Sequence, residues 1–254
     1  MNIFDSHAHY YDEKFGNKKE KEELIRRIKN AGITNILNVG ADIETSKTVI
    51  EQAKQFDFMY ASVGIHPDMA NMNLDVNIIK ELAKKDKVVA IGEIGLDYHY
   101  DGFQKEKQKE LFKAQIQIAN EANLPIIIHN RESSIDLINI LKNEITANKK
   151  GVFHCCEMNQ ELIKQALSLG YYISFAGPIT FKNAKKAKEC VELVPLDRLL
   201  IETDSPYLAP EPFRGSINNS INVKIVASKI AEFKGLLIEE IAQITYKNTK
   251  RLFL

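Results

Sequence analysis

The stretch LPIIIHNRESSIDLINILKNEITANKKGVFHCC, residues 124–156, holds one complete structural unit. Residues 125–128 form a short, continuously apolar run that ends at the polar residues His129, Asn130 and Arg131. Such a run, bounded by loop-type residues, reads as a strand buried on both faces of a parallel sheet. Residues 133–147 follow as an amphipathic stretch of helix-forming residues, and residues 151–153 are a second apolar run. Strand, crossover helix and strand make a β-α-β unit.

The same alternation runs along the chain in both directions. Apolar runs stand at 3–6, 33–39, 59–64, 88–92, 125–128, 151–153, 171–175 and 199–202. Between them lie helical stretches at 19–31, 44–55, 75–84, 104–122, 133–147, 160–169 and 183–191, with two more at 221–233 and 238–247 closing the chain. The first of these stops at Gly32, a residue suited to a helix C-terminus. Eight repeats of strand and helix predict an α/β fold, a (β/α)8 TIM barrel of the metal-dependent hydrolase type. An open doubly wound sheet is the runner-up, but no glycine-rich phosphate loop follows the first strand. With no linker and no low-complexity tract, residues 1–254 are expected to form a single domain.

Bulk composition narrows the function classes. Lys plus Arg equal Asp plus Glu at 34 each, so the formal net charge is zero. A protein that coats long duplexes by bulk electrostatics would be clearly basic. The balance leaves room for a local basic rim around a site. Three cysteines, Cys155, Cys156 and Cys190, are too few and too clustered for a disulfide framework. No basic-then-apolar leader precedes the first strand, and no apolar run reaches the roughly 20 residues of a membrane helix. The expectation is a reduced, soluble, cytoplasmic protein with no membrane association and no obligate protein partner.

Chemistry concentrates at the carboxyl ends of the expected strands. The first supplies His7 and His9, the third His66, the fourth Glu93 and Asp97, the fifth His129 and Arg131. The sixth supplies His154, and the eighth Glu202 and Asp204. Of six histidines, only His99 lies elsewhere. Barrel enzymes build their sites from these ends, so groups scattered over the sequence would converge at one rim. In a strand His7 and His9 leave the same face, with Asp5 beside them, and buried imidazoles and carboxylates need a partner. Imidazoles with carboxylates suit Zn²⁺, Mn²⁺ or Mg²⁺. The thiols of Cys155 and Cys156 read as packing. Candidate ligands outnumber the three protein ligands usual for one catalytic zinc, which points to two divalent ions about 3.5–4 Å apart, with Glu93 on the central strand as the bridge. His66 is expected to line the cleft, in phosphate binding or proton transfer, and Asp97 to orient a ligand. Asp5 reads as a structural acid beneath the first strand's ligands.

In order along the chain, DSHAHY, GIHP, IGEIGLDYHY, LPIIIHNRE, FHC, ISFAGPITFKNAKK, IETDSPYLAP and FRG together resemble the TatD family of metal-dependent deoxyribonucleases, within the amidohydrolase-like barrel hydrolases. The resemblance spans nearly the whole chain. It implies that His7, His9, Glu93, His129, His154 and Asp204 correspond to the family's ligands for two metals. Glu93 stands where wider amidohydrolase branches carry a carbamylated lysine, which favours the TatD branch. Two stretches depart from the family: HCCEM (His154–Met158) replaces the frequent HCFSG, and SINNS (Ser216–Ser220) replaces a basic residue followed by Asn-x-Pro. Substrate contacts in those loops, residues 155–158 and 216–220, are therefore not carried over from the family.

The expected reaction is hydrolysis of a phosphodiester, most simply by a 3′–5′ exonuclease-like deoxyribonuclease acting on single-stranded DNA or exposed ends. Asp204 would take the proton from the attacking water, with Glu93 as the second catalytic carboxylate. Arg131, Lys182 and Arg214, with His66, are the candidate substrate-binding residues. Arg131 and Arg214 alternatively make structural ion pairs. Competing readings are hydrolysis of a small ester, amide or phosphate on the same site, and a non-catalytic binding protein with a vestigial site. The complete ligand set argues against the latter.

Overall fold

The computed structural model describes residues 1–72, 74–99, 102, 104–148 and 150–254. Its strands are β1 (Phe4–Ala8), β2 (Asn35–Val39), β3 (Met59–Val63), β4 (Val88–Asp97), β5 (Ile126–Arg131), β6 (Gly151–Phe153), β7 (Tyr172–Phe175) and β8 (Leu199–Ile201). They form one sheet in sequence order, each strand parallel to the next. Its helices are α1 (Lys18–Asn30), α2 (Ile43–Gln55), α3 (Asn77–Leu82), α4 (Lys105–Ala122), α5 (Ser134–Glu144), α6 (Gln160–Ser168), α7 (Ala187–Leu193), α8 (Val223–Lys234) and α9 (Ile238–Phe253). Sequential order excludes the doubly wound alternative, in which strand order reverses at a switch point. The sheet returns on itself through a parallel bridge between Ala8 and Ser205. There the His9 N–H donates to Ser205 O at 2.7 Å, and the Asp204 N–H to His7 O at 2.9 Å. The fold is a (β/α)8 barrel. Among the described residues, no helix is long and apolar enough to cross a membrane.

Local chemistry explains where several helices begin. Asn17 caps α1 by accepting from Lys19 and Glu20, Asp42 caps α2 through Thr45, and Asn159 caps α6 through Glu161 and Leu162. Stretch 183–191, read as helix, instead begins helical geometry at Ala187, so FKNAKK is turn.

Two apolar layers hold the barrel. Phe4, Leu37, Tyr60, Ala90, Ile127, Val152, Tyr172 and Leu200, drawn from all eight strands, cluster with Leu252 and Phe253 of α9. That set fills the interior, and the last helix plugs it. Residues on the opposite strand faces, such as Ile36, Ile91, Ile126 and Ile173, pack under Ile25 and Ile28 of α1 and Phe112 and Ile116 of α4. With the lower interior filled by apolar side chains, the imidazoles and carboxylates of β1, β4 and β5 gather at the carboxyl end.

Three strands run further than the sequence suggests. β1 extends through His7, β4 through Glu93 to Asp97, and β5 through His129 to Arg131. These residues lie within strands and not in the loops beyond them. Pairing along β4 requires bare backbone: Gly95 sits at φ +151°, and a Cβ there would fall 1.9 Å from His129 O. Gly95→Ala is therefore expected to part β4 from β5 and to cost about 3 kcal/mol or more. A urea-denaturation midpoint within error of the wild type would contradict this.

Candidate metal centre

β1 carries a bulge between Asp5 and Ala8 relative to β2. The extra residue breaks strict alternation, so the polar side chains of this strand do not share one environment. His7 and His9 turn into the rim, their Nε2 atoms 3.0 Å apart. Asp5, the structural acid expected beneath these ligands, accepts from the His7 N–H at 3.4 Å, the Thr203 N–H at 2.9 Å and the Thr203 hydroxyl at 2.6 Å, tying β1 to the end of β8. A second bulge, between Ile91 and Ile94 relative to β5, delivers Glu93 to the same place, with its N–H donating to Gly40 O at 3.0 Å. Asp204 reaches the rim just past β8, with φ at +56°.

Glu93 divides the site in two. Its Oε2 lies 3.4 Å from His7 Nε2 and 3.6 Å from His9 Nε2. Asp204 Oδ1 stands 3.7 Å and 3.4 Å from the same two nitrogens. Four ligand atoms placed tetrahedrally about 2.1 Å from one centre stand about 3.4 Å apart, so these spacings outline a site of metal-ion size. The other oxygen, Oε1, is 2.6 Å from His154 Nε2 and 2.8 Å from His129 Nδ1, which are 3.4 Å from each other. His66 Nε2 stands 3.7 Å from the same oxygen. One buried carboxylate thus faces two imidazole groups with two different atoms, the geometry of a bridging ligand.

The far nitrogens of the rings are held in ways that suit metal binding. His9 donates from Nδ1 to Val39 O at 2.8 Å, which fixes its tautomer and leaves Nε2 with a lone pair toward the cluster. Nε2 of His129 lies 3.0 Å from Asp97 Oδ2, leaving Nδ1 toward Glu93. The Asp97 role expected from sequence has this geometry. His154 Nδ1 lies 3.4 Å from Glu202 Oε1 without completing a hydrogen bond. His7 Nδ1 and Glu202 Oε2 are likewise buried without partners.

The ionisation of the cluster follows from crowding carboxylates among imidazoles. Burial alone would lower the pKa of His154, but Glu93 and Glu202 beside it hold it well above its ordinary value. Burial is likewise outweighed at His9, by Asp204 and Glu93, and at His129, by Asp97 and Glu93. His7 goes the other way, lowered by burial and by the neighbouring His154. Glu93 stays well below the usual carboxylate range despite its burial, because His154 and His66 favour its charge. Asp204 is lowered by His9 and His7 against the same opposition. Imidazoles with raised pKa values keep protons that a bound cation would displace, so cation affinity in this site falls as the pH drops.

The remaining residues named from sequence have separate surroundings. His66 is pinned by Asp68, whose Oδ1 is 2.8 Å from His66 Nδ1, and stands edge to face with His129. Arg131 ends β5, where its charge helps keep the Asp97 carboxyl low. Lys182 is exposed on the loop after β7, and Arg214 is exposed with its guanidinium 4.2 Å over the Phe181 ring. The divergent SINNS stretch is built into the site loop: buried Asn218 donates to Thr203 O at 2.9 Å and Tyr207 O at 2.8 Å. Tyr100, the last letter of IGEIGLDYHY, lies outside the described residues.

Glu202 is the residue that sequence reasoning left without a task. It is fully buried, and its Oε1 accepts from the Cys155 N–H at 2.7 Å. Its carboxylate lies with ring nitrogens of both His7 and His154, all within 4.8 Å of one another. Once the Nε2 atoms of those rings hold cations, their Nδ1–H groups need an acceptor, and Glu202 is placed to supply it. Glu202→Gln is expected to weaken Mn²⁺ or Zn²⁺ binding about 10- to 100-fold, read by calorimetry. Unchanged affinity would remove this role. Its position two residues before Asp204 was the available signal.

Known proteins resemble this chain over nearly its whole length. Residues 4–254 match the family described as TatD related DNase. The chain is 48% identical over 253 residues to YabD of Bacillus subtilis, an uncharacterized metal-dependent hydrolase, covering 99% of this chain and 98% of that one. It is 38% identical over 254 residues to YcfH of Escherichia coli, described in the same words, covering 100% and 96%. Among solved structures, YjjV, a TatD homologue from Escherichia coli, superposes with a TM-score of 0.93 at 30% identity, covering 99% and 97%.

Proposed function

The chain belongs to the family of TatD-related DNases, and from that premise we propose that it is a divalent-metal-dependent hydrolase that cleaves phosphodiester bonds of DNA. Its expected substrate is a single strand or an exposed end, digested from 3′ to 5′. The observation that carries this reading is Glu93, whose two oxygens face separate imidazole groups. His7, His9, Asp204 and Glu93 Oε2 would hold one ion, and His129, His154 and Glu93 Oε1 a second.

Two ions held there would lower the pKa of a water toward neutrality and offset the charge on the phosphate oxygens. Asp204 is assigned as the base that receives the proton of the attacking water. It suits that task because its side chain is more open than that of Glu93, 13% against 5%, and the lowered pKa keeps it ionised at neutral pH. Glu93 anchors both halves. His66, at the edge of the second group, is placed to meet a phosphate oxygen or pass a proton. Arg131, Lys182 and Arg214 are the candidate anion holders in a chain of zero net charge.

Purified protein incubated with 5′-labelled single-stranded DNA and Mg²⁺, Mn²⁺ or Zn²⁺ in turn tests this reading. A ladder shortening from the 3′ end, dependent on metal and absent in Glu93→Gln, is the expected result. Intact DNA alongside turnover of a small ester or amide would overturn the DNA assignment and leave the metal hydrolase.

A further inference from the structure

One turn past Asp204, the loops that leave β7 and β8 enclose a groove of about 460 Å3. Phe181, Tyr207, Leu208, Arg214 and Ile217 wall it, with Lys14 beside them. Tyr207 is 41% exposed and Ile217 54%, so apolar surface lies open in the wall of a charged site.

Tyr207 forms the partition between this groove and the metal centre. Its N–H donates to Asp204 O at 2.9 Å, and its ring meets the His9 ring edge to face at 6.3 Å. The hydroxyl donates to Asp12, which fixes the ring in place. Lys14 Nζ stands 4.1 Å from the centre of the Tyr207 ring. Farther along, the Arg214 guanidinium lies on the Phe181 ring, a second flat plate that carries charge. Flat rings and cations in one groove match a ligand that is itself flat and carries an anion on each side.

We propose that this groove receives the unstacked base of the nucleotide next to the cleaved phosphodiester, with Tyr207 and the Arg214–Phe181 pair as stacking surfaces and Lys14 and Arg214 holding its flanking phosphates. The proposal rests on the DNA reading above, and deepens it. A base inside a duplex presents no free face to the groove, so it must leave the stack first. Stacking therefore selects single strands and frayed ends. It also supplies locally the affinity that zero net charge withholds globally, and it does so without regard to sequence, since every base has a flat face.

The test is a cycle of two changes: Tyr207→Ala in the protein, and an abasic residue next to the cleaved bond in a single-stranded oligonucleotide. With Mn²⁺ present, each change alone is expected to lower kcat/KM by about 10- to 100-fold, mainly through KM, and both together no further. Tyr207→Phe, which keeps the ring, should stay within about twofold of the wild type. Phe181→Leu repeats the cycle from the other wall, away from the Asp204 turn. Losses that multiply, or equal loss on intact and abasic strands, would mean the ring only supports Asp204, and would overturn the proposal. If wild-type protein cleaves neither strand while hydrolysing a small phosphate ester, the DNA reading fails and the groove assignment falls with it. Digestion of strands with multiplicative losses removes the groove assignment alone.

Discussion

Asp204→Asn should leave cations bound and the fold intact while hydrolysis falls by about 10²- to 10⁴-fold. The amide keeps an oxygen at the position where Oδ1 now stands, 3.4 Å from His9 Nε2 and 3.7 Å from His7 Nε2. It has no lone pair basic enough to receive a proton from water. The loss should appear in kcat, with metal content by elemental analysis close to that of the wild type. A parallel loss of metal would show that Asp204 matters as a ligand first, and full turnover would remove its role as base. The backbone gives no separate reason for the variant to fail: at φ +56° asparagine is as comfortable as aspartate.

Glu93→Ala should have a larger effect, because both halves of the centre lose their shared carboxylate at once. His7, His9, His129 and His154 would remain around a buried space with a single anchoring oxygen pair, that of Asp204, on one side only. Turnover is expected to fall below detection. The clearer readout is thermal. A cation at one hundred times its dissociation constant stabilises a folded protein by about 2.7 kcal/mol. In a chain of this size that raises Tm by about 5 to 10 °C. Wild-type protein stripped with a chelator and refilled with Mn²⁺ or Zn²⁺ should show the rise, and Glu93→Ala should not. A normal rise in the variant would show that the imidazoles hold cations without the bridge.

The barrel was legible because each strand is buried on both faces and so stands out as an apolar run against amphipathic helices. What stayed hidden were the places where that signal breaks. β1, β4 and β5 continue through His7, Glu93, Asp97 and His129, polar residues that read as loop because the partner that justifies their burial is not written in the local sequence. The bulges between Asp5 and Ala8 and between Ile91 and Ile94 depend on pairing with other strands, so alternation alone does not reveal them, although Asp5 was readable as the structural acid that here accepts from His7 and Thr203. The gathering of His7, His9, Glu93, His129, His154 and Asp204 was readable from strand ends. The duties of Asp97 and Glu202 were visible only as positions, since each acts through a ring on another strand. The groove drew no notice in the sequence at all, because Lys14 and Tyr207 meet only when the barrel closes.

That closure, the bridge between Ala8 and Ser205, joins the earliest and latest strands of the barrel at the rim. His7 and His9 are synthesised long before Asp204, so the carboxylate that stands against them is the last of the three to reach the rim. A product truncated before β8 would lack Asp204 and the Ala8–Ser205 bridge that brings β1 to it. The centre is therefore expected to be complete only in chains that extend past β8.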